Sequence, residues 1–177
     1  MIQFRAVAAA TLCTLSAMGF AKLITKTVLY HDGGTVLEGF MAYDDAKGKR
    51  PCVLVIQDWD GLGDYEKMRA QQIAKLGYTA LAVDIYGRGI HPKNPKESGE
   101  EAGKYMKDRM LARRRIMAGL RYAMGQPQVD RNKIAAIGYC FGGMVALELG
   151  RGGAPVKGIV TFHGNLSNRR PDRKSVV

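Results

Sequence analysis

The ten residues Ile134-Ala-Ala-Ile-Gly-Tyr-Cys-Phe-Gly-Gly143 restrict the folds open to this chain more than any other stretch. Four apolar residues read as a short strand buried on both faces, and Met144 to Leu149 reads as a buried helix. Between them Gly138 and Gly142 flank Cys140 in a G-x-C-x-G pattern. A sharp strand-to-helix turn imposes strained backbone angles on the residue at its tip, and the residues two positions away must be nearly free of side chain to avoid collision. The two glycines meet that demand. Such a turn points backbone N–H groups at the helix start, so the Phe141 N–H is placed to stabilise an oxyanion and the helix dipole to favour a thiolate. The plainer alternative is a buried structural cysteine in a glycine-rich turn.

The remaining segments supply a sheet around this turn. Ile24 to Tyr30 and Thr35 to Tyr43 read as two strands joined by the hairpin turn His31-Asp-Gly-Gly34. Val53-Leu-Val-Ile56, Ala80 to Ile85 and Val156 to Phe162 read as further buried strands. Asp64 caps a helix whose inner face is Tyr65, Met68, Ile73 and Leu76, ended by Gly77. Residues 87–99 read as a surface excursion rich in Gly, Pro, Asn and Ser. One longer helix follows, with Met106, Met110, Met117, Leu120 and Met124 as a core-packing stripe and arginines on its other side. Residues 126–131 connect it to the strand before Cys140. The alternation predicts a right-handed, doubly wound, mostly parallel α/β sheet with an N-terminal antiparallel hairpin. Sites in such sheets form where the carboxyl ends of the strands gather. Gln57 to Gly63, Tyr86 to Gly89 and the Cys140 turn meet there.

With 177 residues and 46% hydrophobic content, one domain with a sizeable core is expected. The formal net charge of +11 raises nucleic acid as a partner. The basic residues are nevertheless spread out, apart from Arg113-Arg114-Arg115 and the last few, and no aromatic platform accompanies them, which points to a solvated basic face and to no nucleic-acid partner. The first 21 residues read as a signal peptide: a positive start to Arg5, an apolar run from Ala6 to Phe20, and Gly19-Phe20-Ala21 before the cleavage point. The run is shorter than the roughly 20 residues that span a bilayer, so no permanent membrane span is expected after cleavage. The chain then divides into residues 1–21 as signal, 22–166 as the α/β domain and 167–177 as a basic tail, with export to the periplasm or beyond. Cys13 leaves with the signal. Cys52 opens one strand and Cys140 follows the end of another, on the order of 20 Å apart, whereas a disulfide needs Cα atoms within about 7 Å. Cys140 is therefore expected as a free thiol and Cys52 as a small core residue.

Four blocks carry a specific resemblance. Ile56-Gln-Asp-Trp-Asp-Gly-Leu-Gly-Asp64, Val83-Asp-Ile-Tyr-Gly-Arg-Gly89, Ile137-Gly-Tyr-Cys-Phe-Gly-Gly143 and Thr161-Phe-His-Gly164 resemble, in order, motifs of the dienelactone hydrolase family of α/β-hydrolases. The likeness runs from about Thr25 to Leu166. It implies hydrolysis of a small-molecule ester or lactone through a cysteine nucleophile, with no metal or organic cofactor. Cys140 matches the nucleophile, and the oxyanion-hole amides fall on Trp59 and Phe141. Asp58 stands where the family usually carries a Glu that contacts the resting thiol, one methylene longer, and Gln57 replaces a common His. Arg88 matches a substrate-carboxylate contact, for which a planar guanidinium is suited; the plain alternative is a surface arginine on a loop.

Hydrolases of this fold need a base for the nucleophile's proton and an acid to orient that base, and both follow the nucleophile in chain order. His163 is the one histidine after Cys140 in these 177 residues, and Asp172 stands in the basic tail. The family block contains a matching His beside a separate later one, so His163 is expected in a hydrogen-bonded structural role; His31 and His91 are given no chemistry. Two functional readings stand: an exported hydrolase impaired by a C-terminus that stops short of the acid and His, or a non-catalytic binding protein that keeps the turn. The signal reading predicts that mass spectrometry of exported protein finds a mature chain beginning at Lys22; an intact Met1 on soluble cytoplasmic protein would reject it.

Overall fold

The structure, a computed structural model, describes residues 22–45 and 48–167; the expected signal segment and residues 168–177 of the expected tail lie outside them. The elements run β1 Leu23–Asp32, β2 Thr35–Asp44, β3 Arg50–Ile56, α1 Asp64–Lys75, β4 Thr79–Val83, α2 Pro95–Lys107, α3 Arg109–Met124, β5 Val129–Tyr139, α4 Phe141–Arg151 and β6 Gly158–Phe162. The sheet order is β1-β2-β4-β3-β5-β6. β1 and β2 are antiparallel, β2 joins β4 antiparallel, and β4, β3, β5 and β6 are parallel. This is the expected α/β architecture with its antiparallel lead-in. The hairpin turn is tighter than expected: Asp32 pairs with Thr35, leaving only Gly33 and Gly34, with Gly33 at φ 57°.

Helices cover both faces. On one face α3 and α4 pack Ile116, Leu120, Met144 and Leu149 over Leu54, Ile56, Leu81 and Val83. On the other, α1 sets Ala70 and Ala74 against Ala42, Val55, Ala80 and Ala82. That second contact corrects the expected inner face of α1. Tyr65, Met68 and Leu76 are exposed, and the helix instead turns its alanines and Glu66 inward. The strands opposite also present alanines, so small residues on both sides let the helix lie close, and bulky residues are displaced to its flanks.

The single long helix is also corrected. Asn94 accepts a hydrogen bond from the Glu97 N–H at 3.0 Å and Pro95 opens α2, so a helix begins inside the supposed surface excursion. Asp108 interrupts the helical run, and its carboxylate accepts from the Leu111 N–H at 3.0 Å to start α3. The break rotates the stripe: Leu120 is buried, whereas Met106 and Met110 are exposed. The basic run behaves differently from a solvated face too. Arg115 reaches Asp32 at 2.7 Å and Thr35 Oγ1 at 3.0 Å, and Arg113 reaches the buried Glu148 at 2.7 Å. Both thiols are free, as expected, and burial pushes the Cys52 thiol up to about 12.

One cross-sheet contact ties the hairpin to the parallel strands. Gly39 of β2 has no side chain, so the Tyr30 ring from β1 lies across it toward the end of β4; a Cβ on Gly39 would come within 3.1 Å of that ring. The Tyr30 hydroxyl donates to the Asp84 carbonyl at 3.2 Å and accepts from the Asp84 N–H at 2.9 Å. Leaving a buried backbone group unmet costs about 1–3 kcal/mol, so about 2–6 kcal/mol for the two. Tyr30→Phe should lower the urea-unfolding free energy by that amount, and an unchanged midpoint would show that the hydroxyl does not hold β1 to β4.

Candidate active site

Consecutive parallel strands deliver the site. Asp58 stands two residues past β3, Cys140 one past β5 and His163 one past β6, and these three strands are neighbours in the sheet. The pairings Ile56 with Gly138 and Tyr139 with Phe162 bring their carboxyl ends level.

The backbone at Cys140 is strained, at φ 48° and ψ −112°; His163, at φ 45°, is the other non-glycine residue with positive φ among the described residues. Glycines make the turn fit. A Cβ on Gly138 would overlap the Gly142 carbonyl, and one on Gly142 would overlap the carbonyls of Ile56 and Gln57 at the end of β3. The Cys140 N–H donates to the Phe162 carbonyl at 2.9 Å, which ties the turn to β6.

Burial pushes the Cys140 thiol above its ordinary pKa, and the adjacent Asp58 carboxylate adds to the rise by its charge and by a hydrogen bond; the Phe141 N–H pulls the other way. The net direction corrects the expectation that the helix start favours thiolate. Burial, with the Asp58 carboxylate beside the sulfur adding to it, outweighs the Phe141 N–H at the helix start, and the thiol form is favoured.

The first loop is held from two sides. Glu66 accepts from the Gly63 N–H at 2.9 Å and from the Asp58 N–H at 3.4 Å. The Tyr86 hydroxyl donates to the Trp59 carbonyl at 2.7 Å, and buried Gln57 accepts from the Ile85 N–H at 3.0 Å. Within this loop the Trp59 N–H donates to Asp58 Oδ1 at 2.6 Å, so the amide matched to the oxyanion hole is engaged by its own neighbour. The Phe141 N–H faces the sulfur.

Asp58 and Cys140 lie together with His163, whose donor atom falls within 4.8 Å of theirs. A cavity of about 260 Å³ opens over Cys140, with walls from Trp59, Phe141, Met144, His163 and Asn165 and, from α2, Gly99, Ala102 and Met106. Arg88 is not among these residues. Its Nε lies 3.0 Å from Glu38 Oε2 on an exposed surface. Sequence reading missed the α2 wall because it placed 87–99 in a loop and Met106 in the core; Asn94-Pro95 with Glu97 was the available signal. Glu66, three residues after Gly63, was missed for the same kind of reason.

The thiol's environment makes a signed prediction. Asp58→Asn removes a negative charge that disfavours thiolate, so the thiol pKa falls. The half-point of the rate–pH curve for Cys140 alkylation by iodoacetamide should move to lower pH, and an unmoved curve would show that Asp58 does not control the sulfur.

Comparison with known proteins agrees with this geometry. The family model described as "Dienelactone hydrolase family" matches residues 37–176. A relative from Synechocystis sp. is 33% identical over 134 residues, covering 72% of this chain and 54% of its own. The carboxymethylenebutenolidase of Pseudomonas putida is 27% identical over 123 residues, covering 66% of this chain and 50% of its own. Among solved structures, a dienelactone hydrolase-like promiscuous phosphotriesterase from metagenomic libraries superposes with a TM-score of 0.81 at 41% identity, covering 84% of this chain and 62% of that one. The chain thus spans about half the length of the curated relatives it matches. The match to the family model takes in most of the chain and all four sequence blocks, and the chain belongs to the dienelactone hydrolase family.

Proposed function

We propose that this chain carries the nucleophile and acyl-binding face of a hydrolase for small esters or lactones, with Cys140 as the nucleophile. The observation that carries the reading is Cys140 itself: it is held at positive φ where α4 begins, next to Asp58, and it faces the cavity. The sulfur attacks the carbonyl carbon, its proton passing to the Asp58 carboxylate that already contacts it. The Phe141 N–H stabilises the oxyanion; the Trp59 N–H joins it once Asp58 releases that amide. Collapse returns that proton from Asp58 to the leaving oxygen, expels the alcohol or opens the lactone, and leaves a thioester, which water then cleaves to the acid and the free thiol.

The walls favour a particular acyl group. Trp59, Ala102, Met106, Phe141 and Met144 are apolar, and the volume of about 260 Å³ suits a short chain. Arg88 would have to leave Glu38 to meet a substrate carboxylate, so we assign the cavity neutral esters or lactones ahead of anionic ones. The buried pairing of Arg113 and Arg115 supports a reading without a nucleic-acid partner. Export rests on residues 1–21 alone; among the described residues no helix is long and apolar enough to cross a membrane.

The 177 residues by themselves should acylate faster than they deacylate, because Asp58 contacts the thiol proton, and should turn over slowly. Loss of triad members costs on the order of 10⁴-fold in related chemistry, while binding and oxyanion stabilisation retain a fraction of the rate. With p-nitrophenyl acetate we expect a burst of one product per chain followed by a slow steady state, abolished in Cys140→Ser and unchanged in Cys52→Ala. Absence of any burst would favour the non-catalytic binding reading. Fast turnover that is lost in His163→Ala would make His163 the base and overturn the expected impairment.

A further inference from the structure

The juxtaposition of Asp58, Cys140 and His163 has a use outside hydrolysis. Each comes from the carboxyl end of a different strand, and β3, β5 and β6 are consecutive. Parallel neighbours stand about 4.7–4.9 Å apart, so the sheet sets Asp58 and His163 on either side of Cys140, and the side chains converge until all three donor atoms lie within 4.8 Å of one another. Ligands around a tetrahedral zinc ion, with bonds of about 2.0–2.3 Å, are separated by roughly 3.4–3.6 Å. Side-chain rotation of about 1 Å closes that difference. His163 is exposed and Cys140 and Asp58 are partly buried, so the side chains have room to turn.

We propose that Asp58, Cys140 and His163 form a three-ligand site for zinc or a similarly thiophilic divalent cation, with the fourth coordination position open to the cavity. The donor set selects the ion: thiolate and imidazole favour zinc over magnesium or calcium, which take oxygen ligands. Binding replaces the thiol proton by the metal, so one proton is released per ion and affinity rises with pH. The bound sulfur has its lone pair engaged, so occupancy silences Cys140 as a nucleophile. The site thereby acts as an inhibitory metal site on a face whose own chemistry needs none. Cys52 is a poor competitor, since it is buried and holds its proton up to about 12.

Cobalt chloride serves as the probe, because cobalt takes zinc sites and reports a thiolate ligand by a charge-transfer absorption in the near ultraviolet. We expect one cobalt per chain with that band, displaced by zinc chloride, and loss of the band in Cys140→Ser. Asp58→Asn and His163→Asn should each weaken binding by about tenfold or more, since even outer partners of metal ligands contribute about 10–100-fold. Asn at position 163 tolerates the left-handed backbone, and circular dichroism of each variant checks its fold. No band, a band that survives in Cys140→Ser, or affinity unchanged in both folded variants would overturn the proposal. Alkylation of metal-free Cys140 by iodoacetamide separates these outcomes from failure of the hydrolase reading: a reactive thiol without cobalt binding rejects the metal site alone.

Discussion

Backbone against backbone is the contact on which the site depends. The end of β3 and the start of α4 approach so closely at Gly142 that the carbonyls of Ile56 and Gln57 occupy the volume a side chain would need. Gly138 is pressed against Gly142 in the same way. These contacts fix where the Cys140 tip projects, and the sulfur's distance from Asp58 follows from them, because Asp58 continues the same β3 end. Any added Cβ has only rigid backbone to displace, which makes the turn intolerant where a flexible side chain would give way.

A second line of contacts carries position from the far edge of the sheet to the cavity. Tyr30 bonds both backbone groups of Asp84, and the Asp84 carboxylate accepts from the N–H groups of Glu38, Tyr86 and Gly87, each at 2.9 Å. Burial raises the Asp84 pKa, and the three N–H donors work against that rise. Tyr86 in turn holds the Trp59 carbonyl and stacks on Tyr105 with centroids 5.3 Å apart. The antiparallel hairpin therefore reaches the loop that bears Asp58 through three side chains, without lining the site.

Much of this was legible in the sequence where a local rule decided it. The Gly138-x-Cys140-x-Gly142 turn, the hydrophobic runs of β3, β4 and β5, and the Gly33-Gly34 hairpin each follow from sterics or periodicity within a few residues. What escaped depended on partners far along the chain. The inward face of α1 was set by alanines in β2 and β4, which no pattern within the helix could disclose. Arg115 is buried because Asp32 waits 83 positions away, and Arg88 faces Glu38 across 50. The thiol's raised pKa comes first from burial and then from Asp58, which meets Cys140 only through adjacency of β3 and β5. His163 was seen, but its place in the cavity wall needed the β5–β6 register.

Helix α4 is attached to the site at both ends. Its first residue follows Cys140, and in its last turn Arg151 binds buried Glu148 at 3.0 Å while donating to the Leu166 carbonyl at 2.9 Å. Leu166 lies three residues beyond His163. The 11-residue helix, roughly 16 Å long by its rise per residue, therefore works as a gauge block: its length sets how far the chain must travel before it returns along β6 to stand beside the residue where the helix began. Lengthening or shortening it by one residue would swing Arg151 by about 100° around the axis and release the segment that carries His163 and Asn165, with every residue of the cavity wall still present in the chain.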